Sequence, residues 1–158
     1  MFRNALFHHK NVNIMIFAIG IVYALIMLNL LFLRGRYVSL SDHYMYNLVP
    51  FRTIQSYIVL REHYNFHTWF TNLFGNIVLF IPIGLLLPVL NRTFLRPILL
   101  IITTLGIIFI IEFLQMVTKV GSFDVDDIIL NTCGACVGLF LTKLTLRTFQ
   151  RDHKQGGS

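Results

Sequence analysis

Between Glu112 and Gly138 the chain sets Glu112, Gln115, Asp124, Asp126, Asp127 and Asn131 in or beside sequence apolar enough for lipid. An ionisable group at hydrocarbon depth costs roughly 3 kcal/mol on insertion scales unless it is paired, protonated or facing a wet cavity, so such groups point to function. Four of the seven acidic residues fall in this short span, a density that chance placement explains poorly. The chemistry open to them is proton transfer, with Glu112 or Asp127 as acid or base, and binding of a polar headgroup by amides and carboxylates. Three aspartates plus Glu112 also offer the hard oxygen donors that suit Mg2+ or Ca2+. No metal motif accompanies them, and acidic residues at a helix N-terminus complement its dipole equally well, so neither a metal nor a cofactor is expected. No nucleophile is arranged with a base: Cys133 and Cys136 lie in an apolar stretch, and His43, His63 and His67 sit in a loop without a signature. The two cysteines read as small packing residues.

These groups need helices to hold them. One apolar segment runs from Pro97 to Lys119, a break follows at Gly121 and Ser122, and a second segment runs from Asp126 to Leu146. As a helical hairpin this sets Glu112 about 10 Å below the turn, at 1.5 Å per residue, with Asn131 at similar depth on the facing helix. Glu112 and Gln115 are spaced i, i+3 and predict a shared face. Asp127, Asn131, Gly134 and Gly138 form one polar-to-small stripe. Its glycines predict close approach by another helix of the same chain.

The remaining segments complete a membrane protein. With 158 residues, 56% of them hydrophobic and 13% charged, the chain is too apolar for an ordinary soluble domain of this size. Its net charge of +6 comes from basic residues that bracket apolar segments, which argues against nucleic acid as the partner. Residues 14–33 carry no charge over twenty positions, enough to span a bilayer and too long for a usual signal-peptide core, so they read as an uncleaved anchor. Residues 69–90 form another span, with Asn72 and Asn76 in its first turns and Pro82 inside it, where a kink is expected. The expected fold is therefore an all-α membrane protein with four spans, 14–33, 69–90, 97–119 and 126–146, in one domain over residues 1–158.

Residues 34–68 form the loop between the first two spans and hold Tyr37, Tyr44, Tyr46, Tyr57 and Tyr64, with Trp69 at the end. That density of amphipathic aromatics marks a membrane interface. After Pro50, Phe51, Ile54, Tyr57 and Ile58 recur at helical spacing opposite Arg52, Gln55 and Arg61, predicting a short helix on the membrane surface. Four spans put both termini on one side. That side carries eight basic residues, Arg3, Lys10, Arg92, Arg96, Lys143, Arg147, Arg151 and Lys154. The other carries five, Arg34, Arg36, Arg52, Arg61 and Lys119. The bias predicts cytoplasmic termini and an extracytoplasmic polar cluster roofed by the tyrosine-rich loop.

Several segments together resemble the VanZ-like family of small bacterial membrane proteins. They are Asn47-Leu48-Val49-Pro50-Phe51, Gly75-Asn76, Phe80-Ile81-Pro82-Ile83-Gly84, Glu112 with Gln115, Phe123-Asp124-Val125-Asp126-Asp127, and Asn131-Thr132 with Gly134. The ordered set covers residues 47–138 and is more specific than any one piece. The resemblance implies a plasma or inner membrane protein related to one linked with low-level resistance to teicoplanin, a lipoglycopeptide acting at the cell surface. Family relatives often carry a basic residue just before the Phe-Asp pair; here Gly121 and Ser122 occupy that turn, with Lys119 the nearest cation.

The functional expectation is a polar outer-leaflet pocket for an envelope lipid or lipid-linked cell-wall precursor, connected to antibiotic resistance. Glu112 and Asp127 are its candidate catalytic groups. Asn72, Asn76, Gln115, Asp124, Asp126, Asn131 and Arg52 are its candidate ligand-binding groups. Alternatives are a membrane enzyme using Glu112 and Asp127 on a headgroup, a small proton-coupled lipid transporter whose four helices are supplemented by oligomers, and a protein whose polar groups only lock helices together.

Overall fold

The computed structural model describes residues 10–32 and 43–155. The expected loop residues Arg34, Arg36 and Tyr37 therefore lie outside the described residues. The chain is an all-α membrane protein in which four helical segments are long and apolar enough to cross a bilayer: Ile14–Phe32, Phe66–Leu90, Pro97–Val117 and Val125–Thr148. In chain order the elements are α1 (Lys10–Phe32), β1 (Tyr46–Asn47), α2 (Arg52–Val59), α3 (Phe66–Phe70), α4 (Asn76–Leu90), α5 (Pro97–Val117), β2 (Phe123–Asp124) and α6 (Val125–Gln155). A π-helical turn, Thr71–Gly75, joins α3 to α4 without a break.

The ends of the spans differ from expectation for identifiable reasons. The second begins at Phe66 rather than at residue 69, because the Asn65 side chain accepts the Thr68 N–H at 2.8 Å and caps the helix. The third stops at Val117, since Lys119 takes a left-handed conformation (φ 57°) and the Val120 and Gly121 N–H groups close onto the Gln115 carbonyl. The stop is thus made at Lys119, ahead of the glycine. The fourth runs past residue 146 to Gln155, where Leu139 to Gln155 contains neither glycine nor proline to end it.

The centre of the bundle is the crossing of α4 and α6. A Cβ added to Gly134 would collide with the Ile77 carbonyl, one on Gly138 with the Ile81 carbonyl, and one on Gly84 with the Ala135 carbonyl. Small residues on both helices therefore let backbone meet backbone, and the expectation that the Gly134–Gly138 step packs within the chain is met. The Thr142 hydroxyl donates to the Gly84 carbonyl across this crossing at 3.2 Å. Phe80, Leu100, Ile108 and Ala135 are completely buried around it. α1 joins at the edge through the Tyr23 hydroxyl, which donates to the Leu79 carbonyl at 2.6 Å. Its outward side chains, including Phe17 and Leu25, are exposed, as a lipid-facing helix requires.

At one end, β1 and β2 pair in parallel, Tyr46 with Phe123 and Asn47 with Asp124. This pairing draws the loop after α1 onto the α5–α6 turn. α2 forms as expected, but Phe51 and Ile58 are exposed while Thr53, Ile54, Ser56 and Tyr57 face inward.

Candidate functional site

Asp124 and Asp126 are buried where α6 begins, and both serve the fold. Asp126 accepts the backbone N–H groups of Phe51 at 2.5 Å, Thr53 at 2.7 Å and Ile54 at 3.0 Å. Its carboxylate thereby caps α2, whose first N–H groups and dipole favour an anion there. Phe51 is held at φ 65°, an uncommon conformation for a bulky residue, and it turns its N–H toward that carboxylate. Asp124 accepts the Asn47 amide at 3.1 Å, the Thr53 hydroxyl at 2.6 Å and the Asp126 N–H at 2.9 Å. Asn47 also donates to the Thr53 hydroxyl at 2.9 Å and accepts the Val49 N–H at 3.2 Å. Both aspartates were expected to bind ligand. With three protein donors each, they are instead the anchors of the 47–54 segment.

Glu112 and Asp127 differ. Glu112, 2% exposed, accepts the Asp124 N–H at 3.1 Å through one oxygen. Asp127, half-buried, accepts the Asn76 amide at 2.5 Å through one oxygen. Among the described residues, Glu112 Oε1 and Asp127 Oδ2 have no donor. Among the described residues, the charges acting on Glu112 are Asp127 and Asp124, and those acting on Asp127 are Asp124 and Asp126, all of them negative. One turn below Asp127 on α6, Asn131 is 2% exposed and its Oδ1 has no partner among the described residues. A buried acceptor left unpaired costs on the order of 1–3 kcal/mol. The structure thus gathers Glu112, Asp127, Asn76 and Asn131 where α4, α5 and α6 meet. Asn76 and Asp127 form the open side, and Glu112 and Asn131 lie inside.

The other expected ligands are placed elsewhere. Gln115 donates to the Leu31 carbonyl of α1 at 2.8 Å, because an i+3 step turns it about 60° from Glu112 around the helix. Asn72 donates to the Tyr57 hydroxyl at 2.6 Å, whereas Asn76 reaches Asp127; the π-helical turn between them breaks the i, i+4 stacking that an α-helix would give. Arg52 is exposed at the start of α2. Sequence reasoning did not select Tyr57, which lies within reach of the Asp127 charge. Burial pushes its hydroxyl upward, and since it accepts from Asn72 its own proton is free to donate. Thr104, fully buried on α5 with its hydroxyl unpaired among the described residues, was also missed; a threonine in an apolar run carries no sequence signal.

A separate open groove of about 540 Å³ lies on the turn after α2, lined by Ile58, Arg61, His63, Tyr64, Phe66 and Trp69 among others. Arg61 stands over the Trp69 ring at 5.1 Å, and Trp69 donates to the Tyr57 carbonyl at 2.9 Å. Phe66, Phe70 and Phe74 continue the aromatic surface, a composition suited to the membrane interface. None of the four cluster residues, Glu112, Asp127, Asn76 and Asn131, lines this groove.

No curated protein and no solved structure matches the chain. The VanZ/LLP1 family model matches residues 15–146, a range that includes all four spans almost entirely, both β segments and every residue of the buried cluster. Matched over most of its length, this multi-pass helical chain belongs to the VanZ/LLP1 family.

Proposed function

We propose that the chain binds the headgroup of an envelope lipid or lipid-linked cell-wall precursor in the Glu112, Asp127, Asn76 and Asn131 cluster, at the outer leaflet of a bacterial plasma membrane. The observation that carries this reading is the contrast between two pairs of acids a few residues apart. Asp124 and Asp126 are fully paired with protein donors, whereas Glu112 and Asp127 each keep an oxygen without one among the described residues. Acids that served only to lock helices would be paired like the first two, since low-dielectric surroundings make an unpaired polar group costly. Asn76 fixes Asp127, the Asp124 N–H fixes Glu112, and the remaining oxygens are left to a ligand. Family membership supports a link to teicoplanin susceptibility, by which a bound precursor, or the lipoglycopeptide itself, is handled at the outer surface.

The closeness of two carboxyl groups favours one second reading, acid-base chemistry on the headgroup, with the pair sharing a proton. Glu112→Gln tests both readings, because it keeps the shape and removes the charge. The variant is expected to remain folded and to lose the wild-type effect on teicoplanin susceptibility. Glu112→Leu is expected to lose stability as well, by leaving the Asp124 N–H without its acceptor. A folded Glu112→Gln protein with full wild-type effect would remove Glu112 from the function.

A further inference from the structure

We infer that the group this cluster receives is a primary ammonium and not a phosphate. The inference rests on the headgroup reading above and specifies its chemistry. Three oxygens of the cluster accept no hydrogen bond from the described residues: Asn131 Oδ1, which is buried, and Glu112 Oε1 and Asp127 Oδ2, whose partner oxygens take the bonds from the Asp124 N–H and the Asn76 amide. Asn131 supplies the observation independent of the acids. It is neutral, 2% exposed, and on the face of α6 that carries Asp127 one turn above. A buried amide oxygen so placed needs a donor whatever the protonation of its neighbours. An ammonium has three N–H donors and no acceptor, and so matches three acceptors in number and in charge.

A phosphate fails on both counts. It presents only acceptors to acceptors, and among the described residues the charges acting on Glu112 and Asp127 are aspartates, so it would be repelled. A sugar hydroxyl can donate one bond, but it brings no positive charge to the acids. The open side at Asn76 and Asp127, with the Tyr57 hydroxyl nearby, lets a small headgroup reach in while the rest of the lipid stays in the bilayer. Two sources carry such a group in an envelope: an amino phospholipid, and the free amine of a lipid-linked stem peptide.

The test uses the full chain purified in detergent, with thermal shift and native mass spectrometry as readouts. One arm titrates short-chain phosphatidylethanolamine, its N,N-dimethyl and N,N,N-trimethyl forms, and phosphatidylglycerol. A second arm titrates a lipid-linked cell-wall precursor with its peptide amine free or acetylated. Binding is expected to weaken by about tenfold or more from primary to quaternary amine, since the charge persists while the N–H donors are lost. In whichever arm holds the natural source, Glu112→Gln and Asp127→Asn should each erase the preference for the free amine, and Arg61→Gln, in the separate groove, should leave it intact. Tight binding of phosphatidylglycerol that depends on Glu112 would overturn the ammonium assignment and leave headgroup binding standing. Loss of all binding preference in Arg61→Gln, or no lipid response in either arm, would overturn it together with the placement of the ligand at Glu112.

Discussion

Acids of one type sit here in two states of pairing, and the difference is measurable one residue at a time. Asp126 accepts three backbone N–H groups from the start of α2, and removing a buried acceptor of this kind leaves all three donors unsatisfied. Asp126→Ala is expected to destabilise the protein by about 3 kcal/mol or more and to expose the 46–59 segment to protease. Glu112→Gln retains an acceptor for its single N–H partner and is expected to leave the melting temperature near or above wild type. Melting curves and limited proteolysis of the two variants side by side check the division; equal losses would show that Glu112 is as structural as Asp126. Tyr57→Phe removes the acceptor of the Asn72 amide and is expected to cost about 1 kcal/mol, read in the same melting experiment.

Among the helices, the α4–α6 crossing decides where the cluster forms. Gly84, Gly134 and Gly138 bring the two backbones together, and Asp127 meets Asn76 a few residues along the same contact. An added methyl on any of the three glycines would overlap backbone of the opposite helix. Gly134→Ala and Gly138→Ala are therefore expected to destabilise by about 1–3 kcal/mol and, on the proposed function, to weaken headgroup binding by separating Asn76 from Asp127. Gly20 and Gly106 supply the comparison, because a Cβ at either meets nothing within 4 Å. Gly20→Ala and Gly106→Ala should be neutral or stabilising by up to about 1 kcal/mol, the helix-propensity difference. A thermal-stability series of these four variants checks it, and a destabilising Gly106→Ala would mean that this face of α5 is covered.

For the molecule in its membrane, four spans set the cluster, the β1–β2 pair and α2 at the end away from the termini. The excess of basic residues on the terminus side predicts that this end is extracytoplasmic, by the positive-inside tendency. In a background without Cys133 and Cys136, single cysteines in place of Ser122 and the exposed Glu62 are expected to react with an impermeant thiol reagent on intact cells. One in place of the exposed Arg96 should react only after permeabilisation. The opposite pattern would put the cluster on the cytoplasmic side and exclude an outer-leaflet ligand.

What the sequence determined by itself follows from local physics. Twenty uncharged residues at 14–33 specify a span because unpaired backbone cannot remain in hydrocarbon outside a helix. The i, i+4 placement of Asp127 and Asn131 fixes their common face, and Gly134 with Gly138 announces a close helix contact. The family resemblance was equally visible, in motifs scattered from Asn47 to Gly134. Only the tertiary structure decided which polar groups share a site. Gln115 turns to α1, Asn72 to Tyr57, and Asp124 and Asp126 to a segment more than seventy residues earlier in the chain. Those choices depend on which partners the packed bundle brings within hydrogen-bonding distance of each amide and carboxylate, and spacing along one helix says nothing about partners arriving from another.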